Sequence, residues 1–79
     1  MEKSIYSAHQ KKLQALLKKI RVDAGLRQID LAKRLGSPQS FVSKYETGER
    51  RLDLIELRRV CKSLGTNLKD FVSIFEEIL

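Results

Sequence analysis

The sequence predicts an all-α fold, a compact bundle of five helices in one domain. Apolar residues recur at spacings of three and four in five segments, and no segment alternates like a half-buried strand. The first four segments each close near one of the four glycines. Hydrophobic residues make up 42% of the 79-residue chain and charged residues 33%. That composition is typical of a globular chain rather than a disordered one.

The first helix is predicted over residues 7–24, with apolar side chains on one face and lysines on the other. The apolar face consists of Leu13, Leu16, Leu17, Ile20 and Ala24. Residues 1–6 form a short, polar and uncapped stretch, so they are expected to be a flexible tail. The domain itself is expected to span residues 7–79.

Two short helices are predicted next, over residues 28–35 and 38–46, with a tight turn at Gly36. Glycine has no Cβ, so it can adopt the left-handed conformation that a sharp helix exit needs. Ser37 is expected to cap the third helix, and Pro38 is expected to occupy its first position. Two helices joined by so short a turn form a helix-turn-helix unit.

Asp53 and Asn67 are predicted to cap the last two helices, the fifth of which begins at about residue 68. One apolar stripe of the fifth helix is expected to close the core, namely Leu68, Phe71, Val72 and Phe75. The helix has more apolar residues than are needed to close the core, so some of them are expected to be exposed. An exposed apolar stripe usually marks an interface. Residues 68–79 are therefore predicted to form a dimerisation helix, although complete burial within one subunit is an alternative. The predicted interface residues are Ile74, Phe75, Ile78 and Leu79.

Charge is unevenly distributed along the chain, whose net charge is +6. Residues 1–69 carry a net charge of +9, and residues 70–79 carry −3. A basic body indicates a polyanionic partner, and an acidic, apolar tail indicates a protein partner. A solubilising excess of charge would produce the same pattern.

Nothing in the pattern indicates an enzyme, a cofactor or a metal site. Cys61 lies on an apolar stripe, His9 lies in a polar stretch, and no glycine-rich phosphate loop or metal-ligand cluster is present. Little chain remains outside the helices, so no small-molecule effector is expected. The N-terminus lacks the apolar run of a signal peptide and no stretch could cross a membrane, so a cytoplasmic location is expected.

The segment GLRQIDLAKRLGSPQSFVSKYETGERRLDLIEL resembles the Xre-type helix-turn-helix domains of bacterial and phage repressors, the Cro-like or lambda-repressor-like family. The similarity extends from about Leu13 to Phe71. The most restrictive matching positions are Gly25, Gln28, Leu31-Ala32, Gly36, Gln39-Ser40, Val42, Tyr45-Glu46 and Gly48. The resemblance implies a five-helix bundle that binds operator DNA as a two-fold dimer, with an ion pair between Arg21 and Glu46.

The third helix is then expected to enter the major groove by its N-terminal end. Base contacts are predicted for Gln39, Ser40, Ser43 and Lys44. Gln39 is the leading candidate because its amide can donate to and accept from adenine together. Phosphate contacts are predicted for Arg27, Gln28, Thr47, Arg50 and Arg51. Phe41 has two possible roles, packing on a thymine methyl or covering the small core.

The predicted function is therefore that of a sequence-specific transcriptional regulator, repressor-like, which binds double-stranded DNA as a homodimer. The alternative is an antitoxin, which would bind a toxin partner through the exposed tail and regulate its own operon. A pull-down separates the two, because only the antitoxin would recover a stoichiometric second protein.

Overall fold

The computed structural model describes residues 2–79, with side chains from Ser7 onward. Its helices are α1 (Glu2–Asp23), α2 (Gln28–Leu35), α3 (Gln39–Thr47), α4 (Leu54–Ser63) and α5 (Leu68–Ile78). No strand occurs in residues 2–79, so the all-α prediction is confirmed. No helix in this part of the chain is long and apolar enough to cross a membrane.

The first helix starts earlier than the sequence predicts, at Glu2 rather than near Ser7. The stretch before Ser7 contains neither glycine nor proline, so nothing in the backbone chemistry stops the helix from extending. Met1 of the predicted flexible tail lies outside the described residues. At the other end α1 stops at Asp23, and Ala24, predicted to face the core, is exposed.

Side-chain caps begin the last two helices, as the sequence predicts. An oxygen of Asp53 accepts a hydrogen bond of 2.7 Å from the backbone N–H of Glu56. Asn67 Oδ1 accepts one of 2.8 Å from the backbone N–H of Asp70. Each cap satisfies a donor that would otherwise have no partner within its helix, which is worth about 1 kcal/mol.

The core lies where α3 packs against α1 and α2 while α4 and α5 close the opposite side. Its buried members are Leu16, Leu17, Leu31, Ala32, Leu35, Val42, Tyr45, Val60, Cys61, Leu64 and Phe71. Burying a leucine or valine side chain of this kind contributes about 1.5–3 kcal/mol relative to leaving it exposed. Cys61 is fully buried, and burial raises the pKa of its thiol to about 11. Cys61 is thus a core residue, as predicted.

The apolar stripe of α5 is narrower than predicted. Phe71 is buried, and Phe75 stacks on it with ring centroids 6.3 Å apart. Val72, by contrast, is 42% exposed. Residues four apart share a helix face, whereas the next residue along is turned by about 100°. The Phe71–Phe75 pair therefore faces the core and Val72 does not.

Candidate nucleic-acid interface

The turn between α2 and α3 is closed by backbone hydrogen bonds around Gly36. The N–H of Gly36 donates to the carbonyl of Lys33 at 3.1 Å, and that of Ser37 donates to Ala32 at 3.0 Å. This pattern requires a left-handed residue, and Gly36 has a φ of 66°. Ala32 and Leu35 are buried beneath the turn, so α3 is fixed closely against α2.

The predicted cap of α3 is wrong. Pro38, rather than Ser37, occupies the cap position, and its ψ of 152° places it outside the helix. No side chain caps α3 within the described residues. The first turn closes instead through a hydrogen bond of 3.0 Å from the N–H of Phe41 to the carbonyl of Pro38. Free N–H groups at a helix start favour an anion such as phosphate.

One face of α3 is buried and the opposite face carries polar side chains. Val42 and Tyr45 lie in the core. Of the predicted base-contacting residues, Gln39, Ser40 and Lys44 are exposed, whereas Ser43 is half-buried. Amide, hydroxyl and ammonium groups are thus presented on one rigid helix, as hydrogen-bonding to base edges requires.

Arg21 of α1 and Glu46 near the end of α3 form a bidentate ion pair. Nε of Arg21 lies 2.7 Å from Oε2 of Glu46, and Nη2 lies 3.0 Å from Oε1. Nη1 of Arg21 donates to the carbonyl of Leu26 at 2.8 Å, so all three guanidinium nitrogens are used. Both side chains are more than nine-tenths buried. The hydrogen bonds to Glu46 raise the pKa of Arg21 above its ordinary value.

Gln28 connects this ion pair to the leading readout candidate. Its Nε2 donates to Oε1 of Glu46 at 3.0 Å. Its Oε1 accepts a longer hydrogen bond, 3.4 Å, from Nε2 of Gln39. The start of α2 and the start of α3 therefore meet through two amides, which restricts the rotamers that Gln39 can adopt.

Arg27, predicted to contact phosphate, is paired within the chain. Its guanidinium donates to both carboxylate oxygens of Asp30, at 3.0 and 2.9 Å. The backbone N–H of Arg27 also donates to Asp30, at 2.9 Å. These hydrogen bonds lower the pKa of Asp30 to about 2 and raise that of Arg27. About three-quarters of the Arg27 side chain remains exposed, so the guanidinium is still accessible.

Arg50 and Phe41 lie together beside α3. Phe41 is half-buried, packs on the core and meets Tyr45 edge to face, with ring centroids 5.6 Å apart. The guanidinium carbon of Arg50 lies 5.1 Å from the centroid of the Phe41 ring, and Nη2 donates to Glu56. Of the two roles left open for Phe41, the structure shows the one that covers the core. Glu56 was missed by sequence reasoning as a partner of Arg50.

The loop after α3 carries the remaining phosphate candidates. Thr47 Oγ1 donates to the carbonyl of Lys44 at 3.2 Å, and Thr47 and Arg51 are both exposed. Gly48 follows with a φ of 90°, and a Cβ there would lie 2.7 Å from Nε2 of Gln14 in α1. Glycine thus allows the left-handed turn, and the amide end of the Gln14 side chain packs against it.

The end of α5 forms a second surface of a different kind. Ile74, Ile78 and Leu79 are 43%, 42% and 45% exposed. Phe75, predicted to join them in an interface, is half-buried through its stack on Phe71. Lys12 of α1 donates to the carbonyl of Ile78 at 3.2 Å and so ties this end to the bundle.

Comparison with known proteins agrees with this geometry. A family model described as helix-turn-helix matches residues 17–71. The structure is similar to that of an XRE-family-like protein from Pseudomonas syringae pv. tomato str. DC3000, with a TM-score of 0.90 and 45% sequence identity. That match covers 98% of this chain and 94% of the other. No curated protein matches the sequence significantly.

It is also similar to the wild-type restriction-modification controller protein C.Esp1396I, with a TM-score of 0.80 and 26% identity. The match covers 87% of this chain and 91% of that one. The same controller protein, solved as a tetramer in complex with its natural 35-base-pair operator, matches with the same TM-score, identity and coverage.

Proposed function

The chain belongs to the Xre-type helix-turn-helix family of DNA-binding transcription regulators, and from this premise we propose that it represses transcription as a homodimer on a two-fold operator. The observation that carries the proposal is the exposed polar face of α3, fixed to the bundle by the Arg21–Glu46 pair. A readout helix must be held rigidly, because a shift of about an ångström misplaces every hydrogen bond to a base edge.

In the proposed complex α3 lies in the major groove, and residues 7–79 act as one DNA-binding domain. Base contacts come from Gln39, Ser40, Ser43 and Lys44. Phosphate contacts come from Arg27, Gln28, Thr47, Arg50 and Arg51. The net charge of +9 on residues 1–69 supports a polyanionic partner and implies strongly salt-dependent binding. The site of action would be the cytoplasm, where the operator lies.

The proposed dimer forms through residues 68–79, centred on Ile74, Ile78 and Leu79. Three large apolar side chains, each more than two-fifths exposed at one end of one helix, support an interface. A two-fold dimer would present its two copies of α3 to the same side of the duplex, so the operator would be a palindrome whose half-sites lie one helical turn, about 34–36 Å, or a multiple of it apart.

Selection of duplexes from a random pool, followed by native mass spectrometry of the recovered complex, tests the proposal. We expect one enriched motif with two-fold symmetry and two protein chains per duplex. Recovered duplexes that share no motif would overturn sequence-specific binding. One chain per duplex would overturn the homodimer alone.

The antitoxin alternative is decided by co-purification of the tagged protein from its own host. No specific contact in the structure favours it. A second protein recovered in stoichiometric amount would support the alternative, whereas self-association alone would support the homodimeric repressor.

A further inference from the structure

The Arg50 side chain, a proposed phosphate contact, is held by two groups of its own chain. Its guanidinium lies over the Phe41 ring, 5.1 Å from the centroid, and donates to the Glu56 carboxylate. Arg50 is about half-exposed and Glu56 about a quarter exposed. A cation stacked on an aromatic ring and paired with a carboxylate is partly neutralised and restricted in its rotamers.

Glu56 is itself fixed in position. Its Oε1 accepts a hydrogen bond of 3.0 Å from the backbone N–H of Asp53, while Asp53 accepts one of 2.7 Å from the N–H of Glu56. This reciprocal pattern is a capping box at the start of α4. The carboxylate therefore cannot swing away from Arg50 without losing its own hydrogen bond in the capping box.

We propose that Glu56 is a specificity-determining residue, because its carboxylate competes with DNA phosphate for Arg50. The inference rests on the proposed function of the chain as an operator-binding protein. On a random duplex, which shifts freely along the protein, no phosphate is held close enough to replace Glu56. On the operator, base contacts from α3 fix the register, and a phosphate is held against Arg50.

The competition lowers affinity for random DNA more than affinity for the operator. Each phosphate neutralised releases condensed counterions, and this sequence-independent term provides nearly all non-specific affinity. When Glu56 keeps Arg50 from a phosphate of random DNA, this sequence-independent contribution falls while the base contacts to the operator stay intact. The ratio of operator affinity to random-duplex affinity therefore rises.

The test compares Glu56→Gln with the wild-type protein on the selected operator duplex and on a scrambled duplex of the same composition. Glutamine keeps the Oε1 acceptor that the capping box needs, and it replaces the oxygen that accepts from Arg50 with an uncharged NH2 group. We expect random-duplex affinity to rise roughly three- to tenfold at low salt, with a salt slope steeper by about one unit. Operator affinity should rise less, so the ratio of operator affinity to random-duplex affinity should fall.

Two further variants separate this role from a general effect of charge. Glu49→Gln removes the same charge from the loop that precedes α4, and it should change both affinities equally and by less. In an Arg50→Ala background the effect of Glu56→Gln should disappear. An effect of the same size in that background would overturn the proposal, as would a random-duplex affinity that Glu56→Gln leaves unchanged or lowers.

The same titrations distinguish the two proposals. A wild-type protein that binds no duplex would reject the proposed function and, with it, this role of Glu56. A wild-type protein that prefers its operator, with a ratio that Glu56→Gln does not change, would reject only the role of Glu56.

Discussion

Arg21 and Glu46 are 25 positions apart in sequence, yet their side chains meet in two parallel hydrogen bonds of 2.7 and 3.0 Å. The pair joins the longest helix to the end of α3 and is more than nine-tenths buried at both partners. A buried pair of this kind adds little net stability, because desolvation of the two charges offsets their attraction, but the loss of one partner is costly.

Arg21→Ala should lower the free energy of unfolding by about 3–5 kcal/mol, because Glu46 would remain as a buried, uncompensated charge. Denaturant unfolding followed by circular dichroism measures this. Lys19→Ala is the matched control, since its i,i+4 pair with Asp23 is more than three-fifths exposed at both partners and should contribute only about 0.3–0.5 kcal/mol. Equal losses in the two variants would contradict the structural role of Arg21.

Gln39→Ala should weaken operator binding by about 1–3 kcal/mol and relax the preference at one base pair, since its amide is the proposed reader of adenine. Titration of the selected operator and of a duplex altered at that base pair measures the difference. An equal loss on both duplexes would show that Gln39 does not read a base.

Arg51→Ala should weaken binding to all duplexes alike and reduce the salt slope by about one unit, as expected for a single lost phosphate contact. The measurement is the affinity over a series of salt concentrations. Lys33→Ala, at an exposed position on α2 that the proposal does not use, is the control. A slope that stays the same in Arg51→Ala would exclude the phosphate contact.

Stability should depend on the charge of Asp30 in acid. Its pKa is about 2 in the folded protein, chiefly through the Arg27 guanidinium, and near 3.9 in an unfolded chain. Because the folded value is lower, the ionised group stabilises the fold above about pH 4, and that stabilisation disappears as the pH falls toward 2. The Tm difference between wild type and Asp30→Asn should therefore shrink from about pH 5 to about pH 2. A constant difference would be inconsistent with the pair.

Ile78→Lys should convert the proposed homodimer to monomers, because an ammonium would be buried in an apolar interface. Sedimentation velocity over a range of concentrations measures the oligomeric state. Ile55→Lys is the matched control, since Ile55 is 68% exposed on α4 and is not one of the proposed interface residues. If both variants sediment like the wild type, the interface does not involve Ile78.

Local chemistry was enough to predict most of the fold. The bounds of α2 and the caps Asp53 and Asn67 followed from periodicity and from short polar side chains before apolar runs. The start of α1 was wrong because a helix without a stop signal has no boundary in its sequence. The cap of α3 was wrong because Pro38 keeps an extended ψ and moves the helix start by one residue.

The candidate site was less accessible to sequence reasoning. The Arg21–Glu46 pair came from family resemblance, since no periodicity connects positions so far apart. Asp30 lies three residues after Arg27, a spacing at which helical side chains meet, so that pair had a local signal. No sequence spacing predicts the Arg50–Glu56 pair, because the two residues are separated by a loop whose path depends on how α4 packs.

The Glu46 carboxylate accepts hydrogen bonds from both Arg21 and Gln28, so both of its oxygens already have partners in the protein without DNA. In any variant that keeps Glu46, α3 therefore holds the same position on the bundle, whichever DNA sequence the variant is designed to bind. Libraries that vary the outward positions of α3 keep the Arg21–Glu46 pair, whereas substitutions at Glu46 leave Arg21 buried without its partner and lower the stability of the protein.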